Sequence, residues 1–161
     1  MPVLLVRHAV ALSRRAWTGD DADRPLDDRG HQQSVALVDA LAAFDVVRVR
    51  SSSAARCAAT VEPLASARGL EVEPDDALFE GNGRRAFASV RALLAPTSDT
   101  AGADGPAVVL CSHGDVIPEV LDFLAHEGAK LGKDVRCQKG STWVLHIDAG
   151  RVAGRYVPPP A

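Results

Sequence analysis

The chain is short of cysteine, of aromatic residues and of long apolar runs, and each shortage excludes something. Three cysteines, Cys57, Cys111 and Cys137, are an odd number without paired spacing. That argues against a disulfide framework and for a reducing compartment, here expected to be the cytoplasm. No CxxC or HxxxH spacing marks a metal site, so neither metal nor cofactor is expected. No apolar stretch approaches the about 20 residues needed to cross a bilayer, and the N-terminus lacks the pattern of a signal peptide. Positive charge is not in excess: the formal net charge is -3, so neither nucleic acid nor an anionic membrane is an expected partner. No GxSxG elbow supplies a hydrolase serine, which removes the triad reading of Asp115.

What is present is an ordinary globular composition, with 47 % hydrophobic and 24 % charged residues among 161. That length fits one domain over residues 1–157, followed by a Pro-rich tail at 158–161. Apolar runs alternate with amphipathic segments. Val3-Leu4-Leu5-Val6 and Ala107-Val108-Val109-Leu110-Cys111 read as strands buried on both faces, as in a parallel sheet. Val46 to Arg50 reads as a further strand and Leu70 to Val72 as a short edge strand. Thr142 to Ile147 and Val152 to Val157 read as an antiparallel pair turning at Asp148-Ala149-Gly150. Helices are predicted over Asp28 to Ala43, Ala54 to Ala67, Arg84 to Ala95 and Asp115 to His126. Pro63 should kink or shorten the second of them, and the Ser51-Ser52-Ser53 run should cap it. A polar loop is expected from Leu12 to Asp27, and an exposed flexible one from Thr97 to Pro106. The fold class is therefore α/β: three layers, a mostly parallel central sheet and helices on both faces.

The two most apolar strands each end in a histidine: Arg7-His8 after the first and Ser112-His113-Gly114 after the later one. Ligands bind at that carboxyl edge in open α/β folds, so one pocket should hold both. A neutral imidazole can attack phosphorus and carry a phosphoryl group. Guanidiniums beside it hold it unprotonated and clamp the phosphoryl oxygens. Arg7 is placed for this, and Arg56 follows the serine run in the first turn of its helix. Gly114 lets the backbone approach an anion. Glu80, in Leu78-Phe79-Glu80-Gly81-Asn82, is the candidate acid for a leaving oxygen. Arg14, Arg15, Trp17, Ser112 and Lys139 are candidate substrate contacts, through charge, hydrogen bonding and stacking.

Leu5-Val6-Arg7-His8-Ala9, Ser51 to Arg56 followed by Thr60, Leu78-Phe79-Glu80 and Ser112-His113-Gly114 resemble, in order, the motifs of the histidine phosphatase superfamily. The resemblance implies a phosphoglycerate mutase-like fold. It also implies His8 as the phosphorylated nucleophile, Arg7, Arg56 and His113 as the phosphate pocket, and Glu80 as proton donor. Ala9 stands where most members have glycine, an alanine shared by the small phosphohistidine phosphatases. The stretches Arg14 to Asp27 and Lys139 to Leu145 resemble the C-terminal phosphatase domain of actinobacterial MutT-type Nudix proteins, which implies a nucleoside diphosphate such as an oxidised guanine nucleotide. No Nudix box is present, so the likeness implies either a domain that stands alone or one paired with a separate Nudix chain. The expected function is a metal-independent phosphatase working through a phosphohistidine. Two alternatives remain: a protein phosphohistidine phosphatase, and a non-catalytic nucleotide-binding module.

Overall fold

Strand β1 (Val3–Arg7) faces two ways, and the fold follows from that. Val3 and Leu5 enter one apolar core, Leu4 and Val6 the other, and all four are fully buried. Strand β4 (Ala107–Ser112) does the same, with Val108 and Leu110 on one side and Ala107, Val109 and Cys111 on the other. Successive side chains of a strand point to opposite faces, so a continuous apolar run demands cover on both.

The structure, a computed structural model, describes residues 1–95 and 104–160. Its six-stranded sheet adds β2 (Val46–Ser51), β3 (Val72–Pro74), β5 (Thr142–Asp148) and β6 (Arg151–Val157), in the order β3-β2-β4-β1-β5-β6. β1, β2, β3 and β4 pair in parallel; β5 pairs antiparallel with β1 and β6. Helices α1 (Asp28–Ala40) and α2 (Ala55–Ala67) cover one face, and α3 (Gly83–Leu94) and α4 (Val116–His126) the other. The three-layer α/β architecture is the expected one.

Several local expectations are corrected. α2 does not end at Pro63 but runs to Ala67. A proline inside a helix costs about 3 kcal/mol, yet Pro63 sits on the half-buried flank, while Cys57, Val61, Leu64 and Ala65 are fully buried beneath it. Their burial outweighs the lost hydrogen bond. The serines do not cap the first turn of α2, whose N-cap is Ala54 with no side-chain bond; Ser52 accepts the Ala54 N–H and bonds a histidine ring. The edge strand lies at Val72–Pro74, two residues beyond the expected start, in parallel register with Val49 to Ser51. Most of the loop expected from Thr97 to Pro106 lies outside the described residues. Pro158 to Pro160 are no loose tail: they rest beside Arg29, Gln33 and Gln138, and Pro159 and Pro160 are half-buried.

Gly30, in the first turn of α1, lets that helix lie against the chain leaving β1. A Cβ there would stand 1.9 Å from the Val10 carbonyl oxygen, the acceptor for the Asp27 N–H. Gly30→Ala should therefore lower unfolding free energy by about 1–3 kcal/mol, the usual cost of overpacking. A fall in the urea midpoint checks it, and an unchanged midpoint would show that α1 is free to shift.

Candidate active site

The register of β1 on β4 decides where the two histidines go. Arg7 pairs with Ser112, so His8 and His113 leave neighbouring strands at the same level. The His8 N–H donates to the Ser112 carbonyl at 3.0 Å, and the two rings meet edge to face with centroids 5.5 Å apart.

The His8 ring is held in one tautomer. Its Nδ1 lies 2.8 Å from the Ala9 carbonyl oxygen, which can only accept, so Nδ1 carries the proton and Nε2 keeps its lone pair. Ala9 is anchored in turn: its N–H donates to Thr60 Oγ1 at 2.9 Å, and that hydroxyl donates to the Arg56 carbonyl at 2.7 Å. Burial pushes the His8 pKa from 6.5 down to about 3; the Ala9 bond works against this, while His113, Arg56 and Arg7 reinforce it. The ring is therefore neutral throughout the physiological range.

His113 is held from the other side. Ser52 Oγ accepts the Ala54 N–H at 3.3 Å and lies 2.8 Å from His113 Nε2. Nδ1 of the same ring faces Glu80 Oε1 and Arg56 Nη2, each at 3.4 Å. Arg56 is 1 % exposed. Its Nη1 donates to the Asp21 carbonyl at 2.9 Å and its Nη2 to Glu80 Oε1 at 2.5 Å. Arg7 donates through Nη1 to the Cys137 carbonyl. The Nε atoms of both arginines are buried without a partner, which is costly unless something else accepts from them. Gly114 makes room for this: a Cβ there would meet Arg7 Cζ at 2.6 Å.

The structure thus brings Arg7, His8, Arg56, His113 and Glu80 together. A cavity of about 630 Å³ opens above them, and Gly114, Arg14 and Lys139 are also in its wall. The other expected contacts lie elsewhere. Ser112 is a buried strut whose Oγ donates to the Leu78 carbonyl at 2.6 Å. Arg15 is exposed, outside the wall of the cavity. Trp17 turns onto its own loop, donating to the Asp20 carbonyl at 2.8 Å with its ring against Gly19. Sequence reasoning missed Arg24 and Asp115, which line the cavity, and Asp21, which faces Arg56. The spacing of Asp21 and Arg24, bonded at 2.9 Å, was their only signal. Asp115, read as a triad decoy, accepts the Gly81 N–H at 2.9 Å and so tethers the turn that carries Glu80. Among the described residues no group of three or more His, Cys, Asp or Glu side chains could hold a metal ion, and no helix is long and apolar enough to cross a membrane.

A neutral histidine with its free nitrogen among guanidiniums, at the carboxyl edge of a parallel sheet, places the chain in the class of phosphatases that work on a histidine. The chain belongs to the histidine phosphatase superfamily (branch 1), whose family profile matches residues 3–86. It is 35% identical to an 8-oxo-(d)GTP phosphatase of Mycolicibacterium smegmatis over 160 residues, 98% of this chain and 48% of that protein. The chain therefore spans about half the length of that curated relative. Its fold is similar to that of the protein histidine phosphatase SixA bound to tungstate, with a TM-score of 0.71, 22% identity and coverage of 100% and 97% of the two chains. It is also similar in fold to a mycobacterial glucosyl-3-phosphoglycerate phosphatase, with a TM-score of 0.73, 20% identity and 99% of each chain covered.

The depressed His8 pKa has a consequence for stability. Between pH 6.5 and about 3, the unfolded chain binds a proton at this residue and the folded one does not. Stability from this group therefore falls as pH drops below 6.5, by up to about 1.4 kcal/mol per pH unit. His8→Gln should flatten the fall in urea-unfolding free energy between about pH 6 and about pH 4. Parallel curves for the two proteins would contradict the neutral, desolvated ring.

Proposed function

We propose that the chain is a metal-independent phosphatase that acts through a phosphohistidine on His8. Its substrate is a small phosphorylated metabolite such as a nucleoside diphosphate, and the mycobacterial relative, named for 8-oxo-(d)GTP, favours a nucleotide of the oxidised guanine kind. The observation that carries the reading is the His8 tautomer: Nδ1 is committed to the Ala9 carbonyl, and Nε2 is left free beside Arg7, Arg56 and His113.

In the first step Nε2 attacks phosphorus, the N–P bond forms and the bond to the leaving oxygen breaks. Arg7, Arg56 and His113 donate to the phosphoryl oxygens as charge moves onto them. The unpartnered Nε atoms of the two arginines supply donors already in place. Glu80, protonated, gives its proton to the leaving oxygen. In the second step water attacks the phosphohistidine, Glu80 takes a proton from it, and the N–P bond breaks to release phosphate. Before either step Glu80 must swing off Arg56, because its Oε1 occupies the Arg56 Nη2 donor and faces His113 Nδ1.

Phosphate release in EDTA tests this, across nucleoside mono-, di- and triphosphates, oxidised guanine forms included, beside a phosphohistidine protein. Release from a small phosphate should be abolished in His8→Ala, and a denaturing alkaline quench should trap phosphate on His8 in the wild type. Turnover of the phosphoprotein alone would move the substrate to signalling proteins, and nucleotide binding without turnover would make the chain a binding module. Glu80→Gln should slow a phosphate monoester by about a hundredfold or more, the range for losing a general acid. A diphosphate should lose less, because its leaving phosphate needs less protonation. Equal slowing of both would remove Glu80 from the role of acid.

A further inference from the structure

The cavity holds more positive charge than one transferred phosphoryl group requires. Arg7, Arg56 and His113 surround His8 and suffice for that group. Outside them, Arg14, Arg24 and Lys139 line the same cavity, whose wall also carries the carboxylates Glu80 and Asp115. The surplus is local, because the whole chain is negative, at -3.

A single carboxylate serves three of these guanidiniums. Asp21 lies 2.9 Å from Arg24 Nε, 3.4 Å from Arg56 Nη2 and 3.7 Å from Arg14 Nε. Its carboxyl pKa is lowered, chiefly by the Arg24 hydrogen bond and further by the charges of Arg56 and Arg14. Glu80 pairs with Arg56, so two carboxylates face the three guanidiniums and one positive charge is left over. Arg24 is the most constrained of the set: it is 8 % exposed, and its Nη1 is fixed on the Leu12 carbonyl at 2.7 Å. Its Nη2 makes no hydrogen bond among the described residues. Lys139 is exposed and forms no ion pair among the described residues, and its backbone is held by Gln33, whose Nε2 lies 3.5 Å from the Lys139 carbonyl. Glu80 and Asp21 sit on the cations as acidic oxygens would, so both levels of the cavity already accept anions.

We infer that Arg14, Arg24 and Lys139 form a second anion subsite at the cavity mouth, and that it binds the phosphate that remains on the leaving side of a phosphoanhydride. The chain thereby selects a diphosphate group over a simple monoester. The inference rests on the proposed function only in seating the transferred phosphoryl group at His8. Bidentate, charge-assisted contacts are strong enough for such selection, and Asp21, with 43% of its side chain exposed, is free to withdraw as the second phosphate enters.

Calorimetric titration of the full chain with inorganic phosphate and with inorganic pyrophosphate tests this without turnover. Pyrophosphate should bind at least about tenfold more tightly, the effect of one charged hydrogen bond. The double variant Arg14→Gln, Lys139→Gln changes only exposed side chains and should lose about tenfold of that advantage. In the same variant, kcat/KM for a nucleoside diphosphate should fall relative to that for p-nitrophenyl phosphate. Equal affinity for the two anions in the wild type, or an advantage that survives the double variant, would overturn the subsite. If pyrophosphate keeps its advantage while no phosphate ester is turned over, the subsite stands and the proposed activity falls.

Discussion

The parallel pairing of β1 with β4 is the constraint from which the site descends. Once Arg7 is opposite Ser112, the next residue of each strand must emerge at the same edge and the same height. Two imidazoles then lie 5.5 Å apart between ring centres, without any loop having to find its place. A slip of one residue would turn Val3 and Leu5 toward the wrong core and part the histidines together. The apolar alternation that stabilises the sheet therefore also aligns the site. The same edge recruits the rest: the β5 side holds Arg7 through Ser141 and Gly140, and the β2 side delivers Ser52 and the first turn of α2.

Burying Arg56 and the flank of Arg7 beneath that edge is expensive, and the surrounding groups show how the cost is met. A buried guanidinium must be paired or hydrogen-bonded. Arg56 is served by the Asp21 carbonyl and the Glu80 carboxylate, Arg7 by the Cys137 carbonyl. In both the Nε remains unsatisfied. Such a site favours anions: in the proposed reaction a phosphoryl group completes hydrogen bonds that the protein leaves open. Burial does most to keep His8 neutral, and the charges of His113, Arg56 and Arg7 reinforce it.

The parts of this design that were legible in the sequence are those written in consecutive residues. The apolar runs of β1 and β4, the histidines that end them and the arginine in the first turn of α2 are local patterns, and they predicted the central sheet and the core of the site. The three-layer order followed from their alternation with helices. What escaped was pairing at a distance. Nothing near Asp21 shows that its carbonyl will meet Arg56, thirty-five positions on. Asp115 looked like an isolated carboxylate because its partner is the N–H of Gly81 in another loop. The serines were legible as polar residues before a helix but not as supports for an imidazole. Trp17 failed for a different reason: an aromatic in a basic loop suggests stacking on a ligand, yet its N–H found a nearer acceptor within the loop itself. Pro63 shows propensity yielding to tertiary burial, which a single sequence does not display.

Chemistry and recognition occupy different kinds of structure here. The groups assigned to phosphoryl transfer stand on strand ends and on the first turn of α2, positions fixed by the core. Those that face the cavity mouth stand on the segments around Arg14 to Arg24 and around Lys139, outside the regular elements. These segments are nonetheless anchored. Leu12 N–H donates to the Pro25 carbonyl at 2.9 Å, and Gly140 N–H to the Arg7 carbonyl at 3.1 Å. Gln33 joins them, accepting from Val10 N–H at 3.0 Å and reaching the Lys139 carbonyl at 3.5 Å. A mouth tied down in this way spends little entropy when an anion arrives, which favours affinity. Side chains such as Arg14 and Lys139 can be exchanged on these supports without disturbing the histidines. In the proposed reaction, one sheet edge can therefore keep a constant chemistry while the loops above it decide which phosphate is presented to His8.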